Sequence, residues 1–325
     1  MDNNYIKLNK YVSGLKKLCM DGDLHLDLNP FSVIRLLKFK IIILIRGLAK
    51  YVIELSYLRG KIFEVIKLKN TKKNTFVAVL AGGPSLDLLS KNDLKSFLEN
   101  GNELIVSSYW NENKKFKGIV PTYLILADPV TLQKKYKWLK SKDIEKKNIS
   151  LLKYINQNPK MKIVIPPGYP EWEKKVRKNK IYNTISAGLP SITSNISPLF
   201  PQGYIAQSAM KALAFAFWVG YKNIFILGMD NTYSRDIFCD EKNNLLNLEN
   251  HATNTDYVSI QTERYRSIGD LLQEISYIFY SLELFKKENK IINLDPYSLT
   301  NQFPKKSILK NKLSRIASNM NKKIN

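Results

Sequence analysis

The chain has 325 residues, 44% of them hydrophobic and 11% aromatic, which is enough apolar matter for a buried core and excludes a wholly disordered chain. Two cysteines, Cys19 and Cys239, and two histidines exclude a disulfide framework and a structural zinc site, and point to a reducing, cytoplasmic compartment. A formal net charge of +23 attracts anionic partners. Lysine, asparagine and isoleucine are frequent along the whole chain, and no basic motif interleaved with aromatic residues is visible. The excess is therefore read as compositional bias plus attraction to an anionic membrane surface, with no nucleic acid as partner.

Residues 1–29 are polar and mixed, and no secretory signal is expected among them. From 31 to 69 the apolar residues recur at helical spacing. Between Arg35 and Lys73 there are 11 basic residues against two acids, Glu54 and Glu64. The most apolar part, 39–57, holds Lys40, Arg46, Lys50 and Glu54, so it makes a poor spanning helix. It reads as a pair of helices packed on the core or as a basic amphipathic segment lying on an anionic membrane surface, and the local charge excess favours the second.

The main domain is expected from 74 to 304. A fully apolar run, Phe76-Val77-Ala78-Val79-Leu80, predicts a buried parallel strand, followed by a turn at Gly82-Gly83-Pro84. A helix is predicted over 86–100, and strands over 104–106, 123–127 and 162–165. Residues 131–160 are lysine-rich and read as helical, and 182–204 as a loop. The stretch 206–220 is apolar almost all round, which predicts a buried helix. A central strand is predicted at 223–227. Residues 231–256 read as a long connection of little regular pattern, of the kind that forms lids and binding loops. A helix at 262–288 and a strand at 291–294 follow, then a tail in which 305–323 holds seven basic residues and no acid. The domains are thus a basic helical extension (1–73), the main domain (74–304) and a basic tail (305–325). The alternation of strand and helix predicts an α/β fold, a Rossmann-like, mostly parallel sheet covered on both faces by helices.

Ligands in such sheets lie beyond the carboxyl ends of the strands. Gly82, Gly83, Pro84, Ser85, Asp128 and Asp230 all follow strands and converge on that edge. Gly82, Gly83 and Ser85 offer backbone N–H groups and a hydroxyl to a phosphate at a helix start, although tight turns use the same residues for backbone reasons alone. There is neither the lysine of a P-loop nor the spacing of a dinucleotide fingerprint. Asp128 and Asp230 are placed to hold a ribose hydroxyl, or to act as turn formers. Asp230 is followed by Asn231, Thr232 and Tyr233, which favours the first role for it. His251 opens the run His251-Ala252-Thr253-Asn254-Thr255-Asp256, whose polar residues can fix its tautomer, close in sequence to Tyr233 and Arg235. Imidazole is the side chain suited to proton transfer near neutrality. His25 has no such surroundings and reads as structural.

These residues carry a resemblance. The Gly83-Pro84-Ser85-Leu86 turn, the apolar helix leading into Gly220-Tyr221-Lys222-Asn223-Ile224, the Gly228-Met229-Asp230 strand end, Asn244-Leu245-Leu246 and the His251 run are similar, in order and spacing, to the CMP-dependent bacterial sialyltransferases. Those enzymes have a single Rossmann-like, GT-A-type domain. The stretch from Gly118 to Pro129 and residues 294–304 resemble the 6-hydroxymethylpterin diphosphokinase-like (MptE-like) family, which includes flagellin-modifying motility accessory factors. The resemblance covers roughly 75–304.

It implies an inverting glycosyltransferase acting in surface polysaccharide biosynthesis, with His251 as general base. Gly83 and Ser85 would contact the nucleotide phosphate, and Ser208 at the helix start the nucleotide. Gly82 stands where the family has asparagine. Ile205 or Ala206 replaces an arginine, and of two tyrosines that assist the leaving phosphate only Tyr233 has a match. The implied donor is a nucleotide sugar, most simply a CMP-linked nonulosonic acid, and the acceptor a glycan or glycolipid. No cofactor and no metal are expected, and the place expected is the inner face of the cytoplasmic membrane. The alternatives are an Mg²⁺-dependent diphosphokinase with Asp128 and Asp230 on the metal, or a non-catalytic nucleotide-binding scaffold.

Overall fold

The computed structural model describes residues 30–58, 60–107, 110–127, 142–190, 192–204, 207–230, 237–239, 245–248, 257–259, 268–286 and 290–322. The chain opens with helix α1 (Pro30–Tyr57) and a short α2 (Ile62–Ile66), separated at Gly60, whose φ of +78° ends the long helical pattern of 31–69. Then come β1 (Phe76–Leu80), a 3₁₀ turn (Pro84–Leu88), α3 (Lys91–Glu99), β2 (Glu103–Ser107) and β3 (Tyr123–Ile125). They are followed by α4 (Lys142–Gln157), β4 (Lys162–Ile165), α5 (Pro170–Lys175) and β5 (Ile181–Asn183). The second half holds α6 (Ser208–Val219), β6 (Asn223–Leu227), β7 (Ile237–Cys239), β8 (Leu245–Leu248), β9 (Tyr257–Ser259), α7 (Ile268–Lys286), β10 (Ile291–Asn293) and α8 (Leu313–Lys322).

Seven strands form one all-parallel sheet in the order β10-β6-β1-β2-β3-β4-β5. β1 is at the centre, and all five of its residues are buried because both faces of the sheet are covered. Successive side chains alternate between faces. Phe76, Ala78 and Leu80 pack with Phe97 of α3, Leu151 and Ile155 of α4 and Leu313 and Ile316 of α8. Val77 and Val79 pack with Met210, Leu213 and Phe215 of α6, Leu282 and Phe285 of α7 and Val65 of α2. This is the α/β, mostly parallel sheet flanked by helices that the strand–helix alternation predicts.

Four local differences from the sequence pattern have physical causes. The helix expected at 86–100 is broken into a 3₁₀ turn and α3, because the Ser90 hydroxyl accepts from the Asp93 N–H at 3.1 Å and starts a new helix there. The loop expected at 182–204 begins with an edge strand, β5, whose three residues are too few to show a period. In the connection expected at 231–256, β7 and β8, together with β9 just beyond it, pair antiparallel, with Ile237 opposite Asn247 and Leu246 opposite Ser259. The basic stretch after 304 also holds a helix, α8, that packs onto the sheet domain. Asp93 accepts from the N–H groups of Leu313 and Ser314 at 2.5 and 3.0 Å and from the Ser314 hydroxyl at 2.6 Å, which fastens the start of α8 to α3.

α1 is fastened in a similar way. Glu54, 5% exposed, accepts from the N–H groups of Ser186 and Ala187 at 2.7 and 2.9 Å and from the Ser186 hydroxyl. One helical face, with Gly47, Glu54 and Leu58, meets the segment after β5. A Cβ on Gly47 would lie 2.7 Å from the Gly188 carbonyl oxygen, so the helix backbone passes too close for a side chain. At 100° per residue, Ile41, Ile45, Leu48 and Val52 fall about a third of a turn round from that face, and all four are exposed. Among the described residues no helix is long and apolar enough to cross a membrane.

Candidate functional site

The sheet has a topological switch point beside β1. The chain leaves β1 toward β2 and builds outward to β5, then returns across the sheet to lay β6 on the other side of β1. Crossovers leave from opposite sides there, the arrangement that in open α/β sheets leaves room for a ligand beyond the carboxyl ends of the strands. Gly82 to Ser85 follow β1, and Gly228 to Asp230 follow β6, so the sequence-predicted turn and the strand-end carboxylate do meet.

They meet by bonding to one another. The Ala81 N–H donates to the Leu227 carbonyl at 3.0 Å and the Gly83 N–H to the Gly228 carbonyl at 2.9 Å. Asp230 accepts from the Ser85 N–H at 2.8 Å and from the Ser85 hydroxyl, whose oxygen in turn accepts from the Gly228 N–H at 2.9 Å. The Leu86 N–H closes the turn on the Gly83 carbonyl at 3.1 Å. Gly83 is extended, with φ −72°, so its lack of a side chain serves a close approach. A Cβ there would stand 2.5 Å from Asp230 Oδ2 and 2.7 Å from the Gly228 carbonyl oxygen. Pro84 sits at the first position of the 3₁₀ turn, where no N–H is needed.

Asp230 is 4% exposed. Burial raises its carboxyl to about 6. The hydrogen bonds from Ser85 pull it down, and the neighbouring Asp295 carboxyl, hydrogen-bonded to it, pushes it further up. Asp295, which the sequence reading did not single out, stands just beyond β10 and is 3% exposed. Its signal was present: in the sequence the Asp295-Pro296 pair follows an apolar run as Asp128-Pro129 does. The segment after β10 clamps the end of β6. Thr300 Oγ1 donates to the Met229 carbonyl at 3.0 Å, Ser298 Oγ reaches the Asp230 carbonyl at 3.2 Å, and the Leu299 N–H donates to that same oxygen at 3.1 Å.

Ser208 is the first residue of α6, which runs down over β1, β2 and β3 to a left-handed cap at Gly220 just before β6. Its start therefore lies toward the carboxyl edge of the sheet, the edge that carries Ser85 and Asp230. Gln207 before it makes no side-chain cap, and no acid lies in the first turn. The helix dipole there is open to an anion. Asp128, Asn231, Tyr233, Arg235 and His251 lie outside the described residues. Among the described residues no group of three or more His, Cys, Asp or Glu side chains is placed to hold a metal ion.

No family model matches the sequence, and no curated protein matches it. Among solved structures the chain is similar to the MAf glycosyltransferase from Magnetospirillum magneticum AMB-1. The match has 11% identity and a TM-score of 0.42, and covers 81% of this chain. The chain spans 40% of the length of that protein.

Proposed function

We propose that the protein transfers a sugar from a nucleotide-activated donor to a hydroxyl acceptor with inversion at the anomeric carbon. The observation that carries this reading is the switch point between β1 and β6, where the Gly82–Ser85 turn and Asp230 meet at the carboxyl edge of the sheet, the edge toward which α6 starts at Ser208 with no side-chain cap from Gln207. The resemblance of the surrounding motifs to CMP-dependent sialyltransferases supplies the reaction and the donor, a CMP-linked nonulosonic acid. The nucleotide lies along the Gly82, Gly83 and Pro84 turn. Ser85 and Asp230 hold that turn rigid, and Ser208, Asp128 and Asn231 contact the nucleotide. His251 takes the acceptor proton as the hydroxyl attacks, and Tyr233 and Arg235 stabilise the departing phosphate. The transition state is oxocarbenium-like, so orientation and electrostatics supply most of the acceleration.

The acceptor is a glycan or glycolipid at the inner face of the cytoplasmic membrane. α1 supports that placement: exposed Ile41, Ile45, Leu48 and Val52 share the helix with Lys40, Arg46 and Lys50.

A screen of nucleotide sugars, read by thermal shift and nucleotide release, tests the reading. A CMP-linked acid is expected to score. His251→Ala is expected to lower kcat by roughly 10²–10⁴-fold with nucleotide affinity little changed. Wild-type turnover in that variant removes the base. Turnover is expected to survive excess EDTA. Loss of activity that Mg²⁺ restores transfers the assignment to diphosphate transfer, and nucleotide binding with no turnover of any donor transfers it to a scaffold.

A further inference from the structure

Lys211 lies in the first turn of α6. It is 4% exposed, and its ammonium nitrogen has no hydrogen-bond partner among the described residues. Few arrangements cost a fold more, since a buried ammonium loses its water and here gains no acceptor in return. The carboxylate nearest in kind, Glu54 of α1, is already committed to Ser186 and Ala187. Lys50 of the same helix stands 3.7 Å from Glu54 and donates to the Ser186 carbonyl at 3.2 Å. Gln202 joins this cluster. Its Nε2 donates to the Ile185 carbonyl and its N–H to the Ala187 carbonyl at 2.9 Å, while its Oε1 is buried with no donor among the described residues. Burial lowers the Lys211 amine to about 7. The charge of Lys50 pushes it the same way, and that of Glu54 opposes. Those two are the charged groups, among the described residues, that bear on it.

Two independent observations thus point to one missing partner. The start of a 12-residue helix has no side-chain cap from Gln207 and no acid in its first turn, and the buried amine there has, among the described residues, no hydrogen-bond acceptor, its one opposing charge, Glu54, being already bound to Ser186 and Ala187. We propose that Lys211 and the start of α6 form a subsite for an oxyanion of the substrate, either the carboxylate of an acidic sugar or the phosphate of the nucleotide. The proposal rests on the nucleotide-sugar reading and adds a residue that reading did not contain. An oxyanion placed there meets the helix dipole and the ammonium together, and it supplies the acceptor that Lys211 lacks.

Calorimetric titration of the full chain tests this with two pairs of probes. CMP against cytidine isolates the phosphate, and free N-acetylneuraminate against its methyl ester isolates the carboxylate. Wild type is expected to prefer the charged member of one pair, which names the source. Lys211→Met is expected to weaken that member at least 10-fold and leave its neutral partner unchanged. Wild-type binding is expected to take up protons at pH 7.5 and to weaken from pH 6 to 8.5, and the variant is expected to do neither. A raised melting temperature in Lys211→Met shows that it folds. Undiminished affinity for the charged probe in that folded variant overturns the proposal. If wild type binds none of the four probes, the nucleotide-sugar reading fails, and inorganic pyrophosphate then decides the subsite alone. Binding lost in Lys211→Met upholds it, and no binding to wild type overturns it.

Discussion

Gly83 shows how one side chain can be required by another. Its missing Cβ leaves the space that Asp230 Oδ2 occupies. Gly83→Ala is expected to push the turn from the carboxylate and cost about 1–3 kcal/mol, measured by urea unfolding. An unchanged midpoint shows that the turn yields freely. Asp230 itself carries a pH signature. Its carboxyl lies at about 6 in the folded chain and near the usual carboxylate value of about 3.9 when unfolded. The folded state therefore holds the proton more tightly, and this group's contribution to stability falls as pH rises from about 4 to 6. Asp230→Asn, which stays neutral, is expected to gain on wild type across that window and to run parallel to it above. A difference in melting temperature that is flat from pH 4 to 7 refutes the assignment. At this scale the sequence showed which residues stand at strand ends. It did not show that Ser85 and Asp230 bond to each other, nor that Asp295 completes the pair. Those facts depend on which strands become neighbours, and β10 comes beside β6 only in three dimensions.

Elements read well where they are long and buried, and poorly where they are short or bound from outside. β1, β4 and β6 announce themselves as apolar runs because both faces of a parallel sheet are covered. β3 and β10 also have three residues each but lie in apolar runs, 123–127 and 291–294, whereas β5 and β7–β9, with three or four residues each, are set among polar residues that hide any period. α8 was hidden for another reason. Its seven neighbouring basic residues suggest a solvated tail, whereas Leu313, Ile316 and Ala317 lie on its buried side and Asp93 of α3 satisfies its first N–H groups. Asp93→Ala is expected to lower stability by about 1–2 kcal/mol, the usual loss of a helix cap, and to speed amide exchange in α8 ahead of the sheet. Exchange that rises uniformly across the protein would show that α8 and the sheet open as one unit.

For the whole molecule, the charge of +23 and the exposed stripe of α1 bear on the same prediction. Each basic residue near an anionic surface contributes about 1 kcal/mol before screening. Co-sedimentation is expected with anionic liposomes and only weakly with neutral ones, and it is expected to decline as salt rises. Making Ile41, Ile45, Leu48 and Val52 polar is expected to abolish it. Equal binding to both kinds of vesicle, or to neither, leaves the charge as compositional bias.

The order of the strands also sets a timetable for synthesis. β1 meets β2 soon after both leave the ribosome, but Phe76 pairs on its other side with Asn223. Roughly 150 residues separate them, about 7–30 s at ordinary elongation rates. Through that interval the nascent chain carries a half-sheet whose innermost strand, Phe76–Leu80, is an open apolar edge. Chains arrested before residue 220 are expected to bind holdase chaperones or aggregate, and chains released past 295 are expected to do neither. The site at the β1–β6 boundary is therefore among the last parts of the protein to come into existence, and the central strand that supports it among the first.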